Sequence, residues 1–345
     1  MNRKIKLIAI LLTLIPIIAI LNHYQTDRLK KSTETFASYL KQSTDLTGKT
    51  IWVRAEWNLG DTMQFMRYVK KLHEIGAKIV LEPQKPLTNI LSCCPYIDTV
   101  MEKGTLARTA DRVSYLCPCL GALLPEPKPN QHIDFTVSLA RLPAIFDDLP
   151  KKIWQDEINP SSAYLHADPN LVRHWQKKLQ DDKNVKVGIC WFGDSRHNPE
   201  RFIPLRQLAT LAQISGVTLY SLQKNHGLEQ LEQLPEKLTV RTFDDDFDKK
   251  HGSFMDTAAI MKNLDLIITV DTSVAHLAGG LGVPTWTLLP HEPEWRWQKA
   301  HDSAWRPNYP SMKLFVQSQP GDWQSVVNDI TNLLQQKLHG KELCA

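Results

Sequence analysis

The sequence predicts an α/β protein of two doubly wound, Rossmann-like halves, and three observations predict it. From Thr50 onward, short β-branched runs alternate with helical stretches, which is how a parallel sheet with crossover helices looks in sequence. The chain has 345 residues, enough for two domains and a remainder. Its 42% hydrophobic and 23% charged content is that of a folded chain. No repeat at solenoid period interrupts this pattern.

The elements follow in order. Leu7 to Leu21 is an uncharged apolar run behind Arg3, Lys4 and Lys6, the layout of a signal sequence or signal anchor. As a helix it reaches about 22 Å against a hydrocarbon core of about 30 Å, so it spans only with its flanks, over residues 5–24. Its exit, Ala19-Ile-Leu-Asn-His23, lacks a small-x-small cleavage site, which favours an uncleaved single-pass anchor at 1–24. Basic residues flank both sides in near-equal number, so charge does not choose an orientation. Residues 25–48, rich in Ser, Thr and Lys, read as a polar stalk with a short helix around Arg28 to Leu40.

A first domain is expected over 49–160. Ile51 to Ala55 is a strand, and the helix from Asp61 to Ile75 sets Phe65, Met66, Val69 and Leu72 at helical spacing before Gly76, placed for a left-handed helix end. Ala77 to Glu82, Thr99 to Glu102, Arg112 to Leu116 and Ile133 to Val137 are further strands. The Pro-, Asp- and Lys-rich stretch 147–162 marks the boundary near residue 160. A second domain, 161–338, opens with a helix from Pro169 to Leu179. Its strands are expected at Val185–Trp191, Val217–Leu222, Leu238–Thr242, Leu266–Val270, Thr285–Leu289 and Met312–Val316. In two such halves facing a cleft, ligands bind beyond the C-terminal ends of the strands.

Charge and cysteine count exclude several classes. The net charge of +4 comes entirely from the first 48 residues, and the balanced body offers no basic surplus for nucleic acid. Six cysteines, with Cys93-Cys94 and Cys117-Pro-Cys119 too close to close useful loops, make no disulfide framework, and no paired spacing points to zinc. Small buried hydrophobes are the expected role. No G-x-S-x-G elbow is present, and no cysteine has an evident histidine partner, so a nucleophilic hydrolase is unsupported. Asp244-Asp-Asp-Phe-Asp248 looks like a metal-binding Asp-x-Asp, but with Lys249 and Lys250 beside it, it reads as a solvated acidic loop. Five tryptophans fall in the last sixty residues, and packing is their expected use over stacking on a ligand.

The strand Leu264 to Val270 runs into Asp271-Thr-Ser273 and then the helix Val274 to Leu281. A capping Ser or Thr at such a junction, with free N–H groups and the helix dipole, suits a diphosphate. A plain N-cap fits the same residues, and spacing alone leaves both open. Gly279 and Gly280 permit close helix-to-sheet approach under either.

The wording here is more specific than the periodicity. Asp271-Thr-Ser-Val-Ala-His-Leu-Ala-Gly-Gly-Leu-Gly-Val-Pro-Thr-Trp-Thr-Leu-Leu-Pro290 continues through Trp295-Arg-Trp297 and Ser303-Ala-Trp305 to Tyr309-Pro-Ser-Met-Lys-Leu-Phe315. It resembles the heptosyltransferase-like glycosyltransferases of family nine, in the form often fused to tetratricopeptide repeats. Asn58-Leu-Gly-Asp-Thr-Met-Gln-Phe65, Asp134-Phe135, Tyr164-Leu-His-Ala-Asp-Pro169, Val187-Gly-Ile-Cys-Trp191 and Ser221-Leu-Gln-Lys224 fall in the family's order. The resemblance covers about residues 49–337.

What the resemblance implies is a GT-B fold and an inverting, metal-independent transfer with no cofactor, from a nucleotide-diphosphate sugar to a glycan, lipid or protein acceptor. The Gly60-Asp61 turn then supplies the general base, Asp61, with Gly60 lining the cleft. Asp271, Thr272, Ser273 and His276 line the donor site, and Arg201, Gln223 and Lys224 serve the donor. A carboxylate suits an attacking sugar hydroxyl that must lose its proton, and cations with helix N–H groups suit the departing diphosphate. Asp61 also sits where a helix cap belongs. The sequence departs from the family in its short first domain and in having Arg201 where the family has a lysine. Nucleotide sugars place the catalytic domain on the cytoplasmic side of a bacterial inner membrane. The rivals are a non-catalytic nucleotide- or glycan-binding protein of the same fold, or one that binds a protein partner, and a GT-B epimerase.

Overall fold

The computed structural model describes residues 27–102, 132–149, 163–193, 199–294, 296–297 and 309–340. The expected anchor over residues 5–24 and the expected strand Arg112 to Leu116 lie outside the described residues. Among the described residues, no helix is long and apolar enough to cross a membrane.

The described residues divide into two compact units. The first draws on Met1–Trp57, Tyr68–Thr88 and Pro95–Ile153 and holds a four-stranded, all-parallel sheet. Its strands are β1 (Thr50–Arg54), β2 (Lys78–Glu82), β3 (Thr99–Val100) and β4 (Phe135–Ser138), in the order β3-β2-β1-β4. β1 carries the core through Ile51 and Val53, both fully buried. Gly76, at φ +101°, ends the helix before β2 as the sequence suggested; a Cβ there would meet Thr47 at 2.7 Å.

Residues 27–42 are helical, and the helix expected inside a free polar stalk is a packed part of this unit. Phe36 and Tyr39 set their rings 5.3 and 5.2 Å from Phe135 on β4. The β4 N–H groups of Thr136 and Ser138 donate to the hydroxyls of Ser32 and Thr33 at 3.0 and 3.3 Å. The abundant Ser and Thr of this stretch therefore satisfy a sheet edge as well as water.

The second unit draws on Asn58–Arg67, Asn89–Cys94 and Trp154–Ala345. The first turns of the helix Leu59–Glu74 are thus grouped with it. Its six parallel strands are β5 (Val185–Cys190), β6 (Val217–Ser221), β7 (Val240–Arg241), β8 (Leu266–Val270), β9 (Thr285–Leu289) and β10 (Met312–Val316). They lie in the order β10-β9-β8-β5-β6-β7. Read from the other edge this is 3-2-1-4-5-6, the doubly wound nucleotide-binding order, whose direction reverses between β5 and β8. Both β6 and β8 are buried at every position, and β8 and β9 read as continuous apolar or β-branched runs, as central parallel strands do. Asp168, whose carboxylate accepts from the N–H groups of Asn170 and Leu171, caps the helix Pro169–Leu179.

Candidate functional site

The reversal between β5 and β8 places two segments side by side. β8 leads into Asp271 and Thr272, and β5 into Trp191, Phe192 and Gly193. Thr272 is extended, at φ −142° and ψ 174°, and its hydroxyl accepts the Val274 N–H at 3.2 Å, capping the helix Ser273–Gly280. The Cys190 thiol reaches the same hydroxyl at 3.9 Å. A helix N-terminus at the switch point of such a sheet is an anion site by geometry and by dipole.

Around it runs a chain of alternating charge. Asp271 pairs with Arg201 at 3.2 Å, and Arg201 reaches Glu294 at 3.4 Å. Glu294 pairs with Arg296, whose second nitrogen meets the Asp61 carboxylate at 2.6 Å. Asp61 and Asp271 are both buried, and burial raises the pKa of each. Arg296 is the first opposing cause at Asp61, and Arg201 at Asp271. Asp61 is therefore in the same cluster as the helix cap.

It also does what a capping residue does. Its other oxygen accepts the Asn58 N–H at 3.1 Å, the back-bond from the third helical position of a capping box. Gly60 is needed beside it because a Cβ there would stand 2.7 Å from the His276 ring.

His276 is buried against aromatic partners. It shares a 2.9 Å hydrogen bond with the Tyr309 hydroxyl through Nδ1, and its ring lies 4.9 Å from that of Trp297, nearly parallel at 20°. The Arg67 guanidinium lies over the Tyr309 and Tyr164 rings, 4.9 and 5.6 Å from their centroids. Gly279 admits this arrangement, since a Cβ would meet the Tyr309 ring at 2.4 Å. Burial, then the Arg296 charge, pushes the His276 pKa down to about 3, so the folded protein holds a neutral imidazole. The unfolded chain, with an ordinary value of 6.5, binds the extra proton first. Stability is then lost as pH falls from about 6.5 toward 3, by at most about 1.4 kcal/mol per pH unit from this group. Thermal unfolding followed against pH will show that slope flattened in His276→Asn.

Two expected donor residues bond to backbone rather than to the charged cluster. The Gln223 amide is filled by backbone: its oxygen accepts from Trp191 N and Phe192 N at 3.1 and 3.0 Å, and its nitrogen donates to Phe192 O and His226 O at 2.9 and 2.8 Å. It ties the loop after β5 to the loop after β6. Gln223→Ala would strand several of these groups, and a loss of at least about 2 kcal/mol is expected in denaturant titration. Lys224 donates to Phe247 O at 2.5 Å and lies over the Phe247 ring, with its pKa lowered chiefly by burial.

That contact joins Lys224 to the acidic loop. Asp244, Asp245 and Asp246 are exposed, as a solvated loop requires, but Asp248 turns inward. Its carboxylate accepts from Asp256 N and Thr257 N at 2.8 and 3.1 Å and binds the Thr257 hydroxyl, capping the helix Met255–Met261. Among the described residues, no group of three or more His, Cys, Asp or Glu is placed to hold a metal ion. Cys94 and Cys190 are buried, Trp286 and Trp323 belong to the core, and Trp297 both packs and stacks on His276. Glu294, Arg296, Tyr164 and Tyr309 are members of the cluster that residue type and spacing did not single out.

No family model matches the chain. A curated relative, Protein FlbA of Caulobacter vibrioides, is 24% identical over 310 residues, covering 84% of this chain and 47% of its own length. The chain thus spans about half of that relative. Among solved structures, a glycosyl transferase of family 9 from Veillonella parvula matches with a TM-score of 0.60 and 15% identity, over 86% of this chain and 100% of that one. The E. coli heptosyltransferase WaaC, solved with ADP, matches at 0.54 and 14%, over 83% and 99%. E. coli ADP-heptose LPS heptosyltransferase II matches at 0.51 and 14%, over 84% and 99%. With its parallel sheets and the strand order of its second unit, the chain has the α/β GT-B fold of the heptosyltransferases of glycosyltransferase family 9.

Proposed function

We propose that this chain is an inverting glycosyltransferase that moves a sugar from a nucleoside-diphosphate sugar to a hydroxyl of a glycan, lipid or protein acceptor. One observation carries the reading: a buried carboxylate, Asp61, stands in one charge-paired cluster with a capped helix N-terminus at the sheet's switch point. Likeness to a heptosyltransferase solved with ADP supports it.

In this reaction Asp61 takes the acceptor's hydroxyl proton as the oxygen attacks the anomeric carbon. The bond from that carbon to the diphosphate breaks on the opposite face, and the configuration inverts. The electron pair leaves on the nucleoside diphosphate. Arg201 and the N-terminal N–H groups of the helix Ser273–Gly280 take up that charge, so the transfer needs no metal ion. Asp271 holds Arg201 for this purpose, and neutral His276 gives the site a polar wall without adding charge.

The catalytic part is assigned to the cytoplasmic side, where nucleotide sugars are made, with residues 5–24 as the membrane anchor. Protease accessibility in intact and opened cells tests that assignment, and digestion of residues 49–345 from outside would end it.

A second reading, binding of a nucleotide or glycan without turnover, is favoured by the mutual ion pairing of all five charged groups. Titration of the full chain with nucleoside diphosphates and nucleotide sugars, followed by product analysis with an acceptor panel, separates the two. Saturable binding with a new glycoside supports the transferase. Binding with only hydrolysis, epimerised donor or no change refutes it.

A further inference from the structure

Burial favours the neutral form of a carboxyl group, and a neutral acid cannot accept a proton. Asp61 is 4% exposed, so a base in its position needs a fixed positive charge. The charged groups facing it are Arg296, bonded to one oxygen at 2.6 Å, and the more distant Arg201 and Asp271. Its other oxygen takes the Asn58 N–H. From the helix Ser273–Gly280, the neutral His276 approaches, against Gly60. Arg296 is held on two sides, one guanidinium nitrogen on Asp61 and another on Glu294, and its side chain is 11% exposed. A planar guanidinium fixed at both ends sets the direction as well as the charge of what it holds.

We infer that Arg296 is the positioning residue of the general base, and that Glu294, by competing for the same guanidinium, sets how much of that charge Asp61 receives. The inference rests on the reading of Asp61 as base and adds two residues to it. Its signature is a pair of opposite effects. Removing the Arg296 charge leaves Asp61 buried without its nearest cation, and the carboxyl keeps its proton to higher pH. Removing the Glu294 charge frees both arginines for the two aspartates, and Asp61 ionises at lower pH.

The test uses the full chain labelled with carboxyl-13C aspartate, with the Asp61 signal assigned by its absence in Asp61→Asn. Its titration is followed beside the pH dependence of kcat/KM. In Arg296→Gln, the Asp61 midpoint and the acid limb of activity are expected to rise together by about one to three pH units. Arg296→Lys, which keeps the charge but not the fork, should shift them less while still lowering kcat. In Glu294→Gln both should move down. Rate losses in Arg296→Gln and Glu294→Gln with midpoint and limb unmoved would overturn the inference, because a merely structural role acts that way. Where Arg296→Gln does not fold, Arg296→Lys and Glu294→Gln carry the same test. If no variant and no wild-type preparation turns over a donor, the transferase reading has failed by itself. The carboxyl titration still decides the Arg296 coupling: opposite shifts in the two variants uphold it, and equal midpoints reject it.

Discussion

Asp61→Asn is expected to lower turnover by about a hundred- to ten-thousand-fold while leaving nucleotide-sugar binding close to that of the unaltered protein. Asparagine fills the same volume, and its carbonyl oxygen can still accept the Asn58 N–H that closes the helix cap. Arg296 loses one partner but keeps Glu294, so no buried cation is stranded. What disappears is the acceptor of the proton. In the unaltered protein, burial places Asp61 above the ordinary aspartate value, so the acid limb of activity lies higher than an exposed aspartate would put it, and activity rises as pH climbs through it. Initial rates against pH, with donor affinity measured on the same preparations, test both statements. Unchanged turnover in Asp61→Asn would remove Asp61 from the chemistry.

Much of the fold could be read from the sequence because central parallel strands are buried on both faces. Leu266–Val270 and Thr285–Leu289 have the bounds their apolar and β-branched runs suggest, and Met312–Val316, a partly exposed strand at one edge, keeps its expected bounds as well. Agreement weakens at the opposite edge, where Leu238 to Thr242 shortens to Val240–Arg241, paired along one side only. The helix at 27–42 was expected only as a short piece of a polar stalk, and its packing on β4 depends on two hydroxyls meeting a strand edge more than a hundred residues away, which no local pattern encodes.

In the site, Asp271 and Thr272 were visible as a strand-to-helix junction with capping chemistry. Asp61 was visible as a carboxylate at the start of a helix. Glu294 was not, and Arg296 entered only inside the run Trp295-Arg-Trp297 with no role attached, because neither lies in a pattern with a period to read, and only their neighbours across the cluster give them meaning. The backbone bonds of Gln223 were hidden for a related reason. A polar residue at a strand's C-terminal end looks ready for a ligand, while the four backbone groups that fill its amide come from two separate loops.

Asp271→Ala is expected to cut the affinity for a nucleoside diphosphate by at least about tenfold, although the lost group is itself an anion. The reason is indirect. Asp271 is the last carboxylate in the chain of pairs, and with it gone Arg201 keeps Glu294, the most exposed of the three acids, and swings toward it. A guanidinium held beside the helix N-terminus serves a diphosphate, and one drawn away does not, so about 1.4 kcal/mol or more of the charge-assisted binding is lost. Stability moves less than affinity. Breaking a buried pair costs about 3–5 kcal/mol when the remaining charge is trapped, but Arg201 has a second partner and a 21% exposed side chain. Removing Asp271 also removes a carboxylate that burial disfavours. Calorimetric titration of Asp271→Ala and Arg201→Ala with ADP and UDP, beside their thermal unfolding, checks this. Both variants should lose binding to a similar degree, since both empty the same position of its guanidinium, and Asp271→Ala should unfold within a few degrees of the parent. If Asp271→Ala binds a nucleoside diphosphate as tightly as the parent while Arg201→Ala does not, the carboxylate has no part in placing the arginine, and Arg201 serves the diphosphate without it.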